Sequence, residues 1–90
     1  MSAPRVVIYV TDWCPYCIRA RSLLASKGIA ILEIDVEVVH GAREEMRARS
    51  GRDTVPQIFI GDSHVGGSDD LQALDEEGRL DVLLKQPEKP

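Results

Sequence analysis

Val6-Val7-Ile8-Tyr9-Val10-Thr11-Asp12-Trp13-Cys14-Pro15-Tyr16-Cys17 runs from a β-branched stretch into a proline flanked by two sulfurs. The apolar run Val6 to Val10 suits a short strand buried on both faces. Pro15 has no N–H to leave unpaired, and its fixed φ suits the first position of a helix. A strand therefore hands over to a helix at Cys14. A sulfur at that point faces backbone N–H groups without helical partners and the positive end of the macrodipole, which favours its thiolate. Cys14 is the expected nucleophile. Two intervening residues let Cys17, one turn in and more shielded, swing onto Cys14 and close a small disulfide ring, so Cys17 is the expected resolving sulfur. Tyr16 is expected to stand exposed between them and flank an incoming ligand. Trp13 is expected to pack the loop rather than to shield the sulfur.

Outward from this segment, a helix is predicted from Pro15 to about Lys27, with Ile18, Leu23 and Leu24 on its apolar side and Gly28 as its stop. Ile29 to Val36 is predicted as the second strand. Strand, helix, strand in that order favours a right-handed crossover and a parallel pair. Gly41 to Ser50, with Met46 and two alanines among charged residues, predicts a second helix with a thin apolar stripe, closed by Gly51. Gln57 to Ile60, the turn Gly61-Asp62, and Ser63 to Val65 predict a β-hairpin. Ser68-Asp69-Asp70 offers capping residues for a final helical segment carrying Leu71, Leu74 and, beyond Gly78, Leu80, Leu83 and Leu84. The predicted order β-α-β-α-β-β-α gives an α/β fold, a four-stranded mixed sheet with helices on both faces.

The 90 residues predict a single domain over 1–90, with its core at about 5–85 and a frayed tail at 86–90. Eleven basic and 15 acidic residues give a net charge of −4, against a duplex nucleic-acid surface. No apolar stretch approaches the roughly 20 residues needed to span a bilayer. Met1 to Arg5 leads into a strand without a secretory signal pattern, so a cytoplasmic location is expected. Two cysteines in a reducing compartment favour a reversible redox pair over a structural bridge.

Cys14-Pro15-Tyr16-Cys17, Thr54-Val55-Pro56 and Gly66-Gly67-Ser68-Asp69-Asp70 occur in an order and spacing that resemble a dithiol glutaredoxin. The resemblance runs from Val6 to about Leu84 and is greatest to small bacterial glutaredoxins with the same tetrapeptide. It implies a thioredoxin-like fold, a cis Val55–Pro56 bond beside the cysteines, and a Val55 backbone turned toward Cys14 to pair with the cysteinyl part of glutathione as an added strand would. Thr54, beside that bond, is expected to touch the ligand. Gly66-Gly67 allows close backbone approach, and the helix start at Ser68-Asp69 presents N–H donors to a carboxylate. The resemblance makes this the γ-glutamyl carboxylate, with Gly67, Ser68 and Asp69 around it. Asp69 accepts from the ligand's ammonium, and Asp70 is either a second partner or a helix cap.

Two positions depart from the family pattern. Related proteins often place lysine at the position of Thr11 and arginine at that of Asp53, where either would hold the glycyl carboxylate. An inward-pointing Asp53 would repel it. Arg52 is the expected replacement, with Arg49 farther off, so this end of the site is expected to be salt-sensitive.

The resemblance implies glutathione as reductant and co-substrate, no permanently bound cofactor, disulfide or glutathionylated proteins as partners, and a monomer. A second reading is a [2Fe–2S] carrier or sensor using Cys14 and glutathione in a dimer; Pro15 restrains the loop against it. A third is a protein reduced by a flavoprotein reductase, which would not need the Gly66 to Asp70 corner. His40 and His64 with the cysteines give four ligands by count, but their spacing is not that of a zinc site, and no metal is expected.

Overall fold

The computed structural model describes residues 4–85; the tail expected to fray at 86–90 lies outside them. Strand β1 (Val6–Val10) is buried along its whole length. Helix α1 (Pro15–Ser26) follows, with Cys14 as its N-cap and Pro15 in its first turn. Its buried residues are Cys17, Ala20 and Leu24, the i, i+3, i+7 row of one helical face. Ile18 does not belong to the expected apolar side. It lies about 100° around the helix from Cys17 and is half exposed. Leu23 packs against the core only in part.

Strand β2 (Leu32–Asp35) is shorter than the predicted 29–36. Ile29 and Ile31 pack against the core on the way back from α1 instead of entering the ladder. Val36 is buried just past the strand, its N–H donating to the Val10 carbonyl. Helix α2 (Ala42–Ser50) starts one residue later than predicted because Gly41, at φ +78°, is its N-cap. Ala42 and Met46 form its thin buried stripe.

Strands β3 (Gln57–Ile60) and β4 (Ser63–Gly66) make the hairpin, the latter one residue longer than predicted. The final helical segment is not continuous: α3 (Ser68–Glu76) ends before Gly78, and α4 (Arg79–Lys85) follows it. Gly78 has φ +73°, a left-handed turn that stops the first helix and redirects the chain. The order is therefore β-α-β-α-β-β-α-α.

The sheet order is β2-β1-β3-β4, with β1 parallel to β2 and antiparallel to β3, and β3 antiparallel to β4. Alternation along the two central strands separates two cores. Val6, Ile8, Val10, Ile58 and Ile60 pack with Cys17, Ala20 and Leu24 of α1, Leu71 of α3 and Leu80 of α4. Val7, Tyr9 and Phe59 face Ala42 and Met46 of α2. The register sets the end of β1, the start of β3 and the end of β4 side by side, with Tyr9 opposite Gln57 and Ile58 opposite Gly66. Chain segments far apart in sequence thus emerge at one end of the sheet. No described helix is long and apolar enough to cross a membrane.

Candidate active site

Cys14 sits where β1 has ended and α1 begins, with extended backbone at φ −152° and ψ 107°. The backbone N–H of Cys17 donates to Cys14 Sγ at 3.3 Å. This is one of the first-turn donors that a helix cannot satisfy itself. The thiol of Cys14 in turn faces the Val55 carbonyl at 3.9 Å. Cys14 retains 8% of its surface, whereas Cys17 has none. Burial pushes the Cys17 thiol up to about 12, and the adjacent Cys14 sulfur adds to the shift. A backbone hydrogen bond from Thr11 and the charge of Arg21 oppose it without reversing it.

Beside the cysteines lies a cleft of about 340 Å³. One wall is Thr54, Val55, Pro56 and Gln57; the other is Gly67, Ser68, Asp69 and Asp70, with Tyr16 and Arg52 completing it. The Val55–Pro56 bond is cis. Val55 joins the two halves of the site, because it lines the cleft while its carbonyl faces Cys14 Sγ.

The acidic wall is built around Asp70. Its Oδ2 accepts from Gly67 N–H at 2.9 Å and from Arg52 Nη1 at 3.1 Å. These bonds, the Gly67 N–H first and then the guanidinium, hold its carboxyl below the usual range. Asp70 thus serves as a helix-start cap, with Gly67 rather than Ser68 in the N-cap position. Ser68 is the buried first residue of α3. Gly66 makes this possible: at φ +114°, a Cβ there would lie 2.3 Å from Asp70 Oδ2.

Asp53 does not face the cleft. It accepts from Arg47 at 2.7 and 3.0 Å and from Arg43 at 3.3 Å, so its charge is turned away from the cleft and paired with α2. Those arginines hold its carboxyl below the usual range. Arg49 is also elsewhere: it donates to Tyr9 Oη and lies over the Phe59 ring, 4.2 Å from its centroid.

The cleft gathers Tyr16, Arg52, Thr54, Val55, Pro56, Gly67, Ser68, Asp69 and Asp70 from the residues singled out in the sequence. Thr11, Trp13 and Pro15 are not in its lining. Thr11 reaches Cys17 through its backbone. Trp13 is 88% exposed, so it packs nothing in the loop, while Tyr16 is exposed as expected. Gln57 lines the cleft and was missed. One polar residue opening an apolar strand was the only signal. Among the described residues no group of three or more His, Cys, Asp or Glu side chains is arranged to hold a metal ion.

A family model described as Glutaredoxin matches residues 6–65. Glutaredoxin 3 of Escherichia coli K12 is 56% identical over 80 residues, covering 89% of this chain and 96% of that protein. The solution structure of a glutaredoxin from Brucella melitensis is 56% identical, with a TM-score of 0.82 over 94% of this chain and 92% of that one. A buckwheat glutaredoxin–glutathione complex superposes equally well, with a TM-score of 0.82 at 27% identity, covering 91% of this chain and 76% of that one.

Proposed function

This chain belongs to the glutaredoxin family, with the thioredoxin-like fold and thiol–disulfide oxidoreductase activity that membership implies, and from that premise we propose that glutathione is its reductant, Cys14 its nucleophile and Cys17 its resolving sulfur. One observation carries the reading: the Cys14 sulfur, held by a helix-start N–H, adjoins through Val55 a cleft with hydrogen-bonding backbone on one wall and a helix start on the other.

In the first branch the Cys14 thiolate attacks the glutathionyl sulfur of a mixed disulfide. The protein sulfur leaves as thiolate and takes a proton, and glutathione stays on Cys14. A second glutathione thiolate attacks that glutathionyl sulfur, releasing Cys14 and oxidised glutathione. In the second branch Cys14 attacks a protein disulfide, Cys17 attacks the Cys14 sulfur, and the reduced protein leaves. Two glutathiones then reduce the Cys14–Cys17 bond. The free Cys14 sulfur helps to keep Cys17 protonated. Capping of Cys14 by a substrate removes the charge part of that contribution, while burial, the larger cause, remains.

Glutathione would lie along the cleft with its cysteinyl amide on the Val55 backbone. Its γ-glutamyl carboxylate would meet the first N–H groups of α3, and its ammonium Asp69. The glycyl carboxylate would approach Arg52, which Asp70 already holds in place. We assign the protein to the cytoplasm as a monomer acting on disulfide or glutathionylated proteins.

The test is a coupled assay with glutathione, glutathione reductase and a small glutathione mixed disulfide. Turnover is expected to saturate, with KM rising with salt. Arg52→Ala is expected to raise KM about 3- to 10-fold, the scale of one partly exposed charge-assisted bond, and to flatten the salt response. No glutathione-dependent turnover would refute the function, and an unchanged KM and salt response in Arg52→Ala would refute the role of Arg52.

A further inference from the structure

Gln57 is 1% exposed, so the partners of its amide matter. Its nitrogen donates to the Thr54 carbonyl at 3.0 Å and to Thr54 Oγ1 at 3.3 Å. With its NH₂ committed there, its oxygen faces His64 Nε2 at 2.7 Å. An amide oxygen only accepts, so the hydrogen of that contact belongs to His64 Nε2. The His64 ring is itself held in place, stacked on Phe59 with centroids 4.9 Å apart. Phe59 is buried in the core facing α2. A chain of contacts therefore runs from the α2 face of the sheet, through β4 and β3, to Thr54 at the cleft.

The consequence lies in the geometry of a peptide unit. Its C=O and N–H point in opposite directions across one plane. Gln57 holds the Thr54 carbonyl, and so fixes where the Val55 N–H points. The same bond to Thr54 Oγ1 leaves the hydroxyl hydrogen free for another acceptor. Were the amide reversed, its oxygen would meet the Thr54 carbonyl, an acceptor against an acceptor.

We propose that His64 is a positioning residue for the cleft: through Gln57 it locks the Thr54–Val55 peptide plane, so that the Val55 N–H and the Thr54 hydroxyl are aimed at a bound glutathionyl group. This rests on the assignment of the cleft to glutathione. His64 touches neither the ligand nor the sulfurs, and its contribution is to binding geometry rather than to the exchange step.

The experiment compares wild type, His64→Phe and His64→Gln in the coupled assay with a small glutathione mixed disulfide, alongside thermal melts. Phenylalanine keeps a ring on Phe59 and removes the donor, whereas glutamine returns an N–H near the place of Nε2. His64→Phe is expected to raise KM about 3- to 10-fold, the equivalent of one neutral hydrogen bond, with kcat within about twofold of wild type. His64→Gln is expected to recover most of that loss. An unchanged KM in His64→Phe, or losses in both variants that simply follow their melting temperatures, would overturn the positioning role while leaving wild-type turnover intact. Absence of wild-type turnover would overturn the assignment of the cleft as well.

Discussion

Two sulfurs three residues apart occupy different surroundings because one caps a helix and the other lies inside it. Cys14 receives the Cys17 N–H and keeps a little exposed surface; Cys17 is sealed against Ala20, Leu24 and the sheet. In the proposed mechanism this separates an attacking group from a reserve. It also makes alkaline stability depend on Cys17. Below the ordinary thiol range both the folded and the unfolded chain hold its proton. Between that range and about 12, the unfolded chain releases a proton that the folded chain keeps, so stability falls as pH rises. Replacing Cys17 by serine is expected to flatten this alkaline limb, measured as a smaller drop in urea midpoint between about pH 8 and about pH 10.5. Parallel curves for the two proteins would contradict the buried, protonated state of Cys17. At this scale the sequence was informative about chemistry and silent about direction. The tetrapeptide predicted one sulfur at the helix start and one shielded a turn further in, and both stand there. Nothing in Arg52-Asp53-Thr54 says that the carboxylate of Asp53 turns outward to Arg47 while Arg52 turns toward Asp70.

Among the elements, the junction of β4 and α3 shapes the acidic wall of the cleft. Gly66 admits the Asp70 carboxylate against its backbone, and that carboxylate closes the helix start and holds Arg52. Gly66→Ala combines a disfavoured positive φ with a Cβ inside contact distance. It is expected to cost about 1–3 kcal/mol of stability. It is also expected to raise KM for the mixed disulfide, because displacing Asp70 releases Arg52. Urea unfolding and the coupled assay read the two effects, and a variant equal to wild type in both would refute this account of the junction. The elements themselves were largely legible, because β-branched runs, Pro15 and the glycines punctuate the chain. Errors fell where tertiary contact overrides pattern. Ile29 and Ile31 look like strand residues but pack against the larger core cluster outside the ladder, and the leucines on both sides of Gly78 disguise a break between two helices. The Gln57–His64 contact was out of reach for another reason. It depends on the hairpin register, which shifts between Ile58 and Phe59.

Across the whole molecule, a single sheet end gathers residues that the chain separates by more than half its length. The cysteines come from the β1–α1 junction, the Thr54-Val55-Pro56 segment from the approach to β3, and the Gly67 to Asp70 corner from the exit of β4. Cys14 and Cys17 belong to the larger core cluster, so the fold and the site share one set of packing contacts. The architecture could be anticipated because each motif marks an element end, and the order of elements permits few ways of bringing those ends together. Central to the account is the division of labour between two sulfurs at that convergence, and it is tested most directly by comparing Cys14→Ser with Cys17→Ser. Each variant is mixed with a glutathionylated peptide, and the products are read by intact-mass and peptide mass spectrometry, with steady-state deglutathionylation measured in parallel. Cys17→Ser is expected to carry one glutathionyl group on Cys14 and to keep deglutathionylating while losing protein-disulfide reduction, and Cys14→Ser to do neither. Equal loss of deglutathionylation in both variants, or a glutathionyl group found on Cys17 of the Cys14→Ser protein at the wild-type rate, would contradict it.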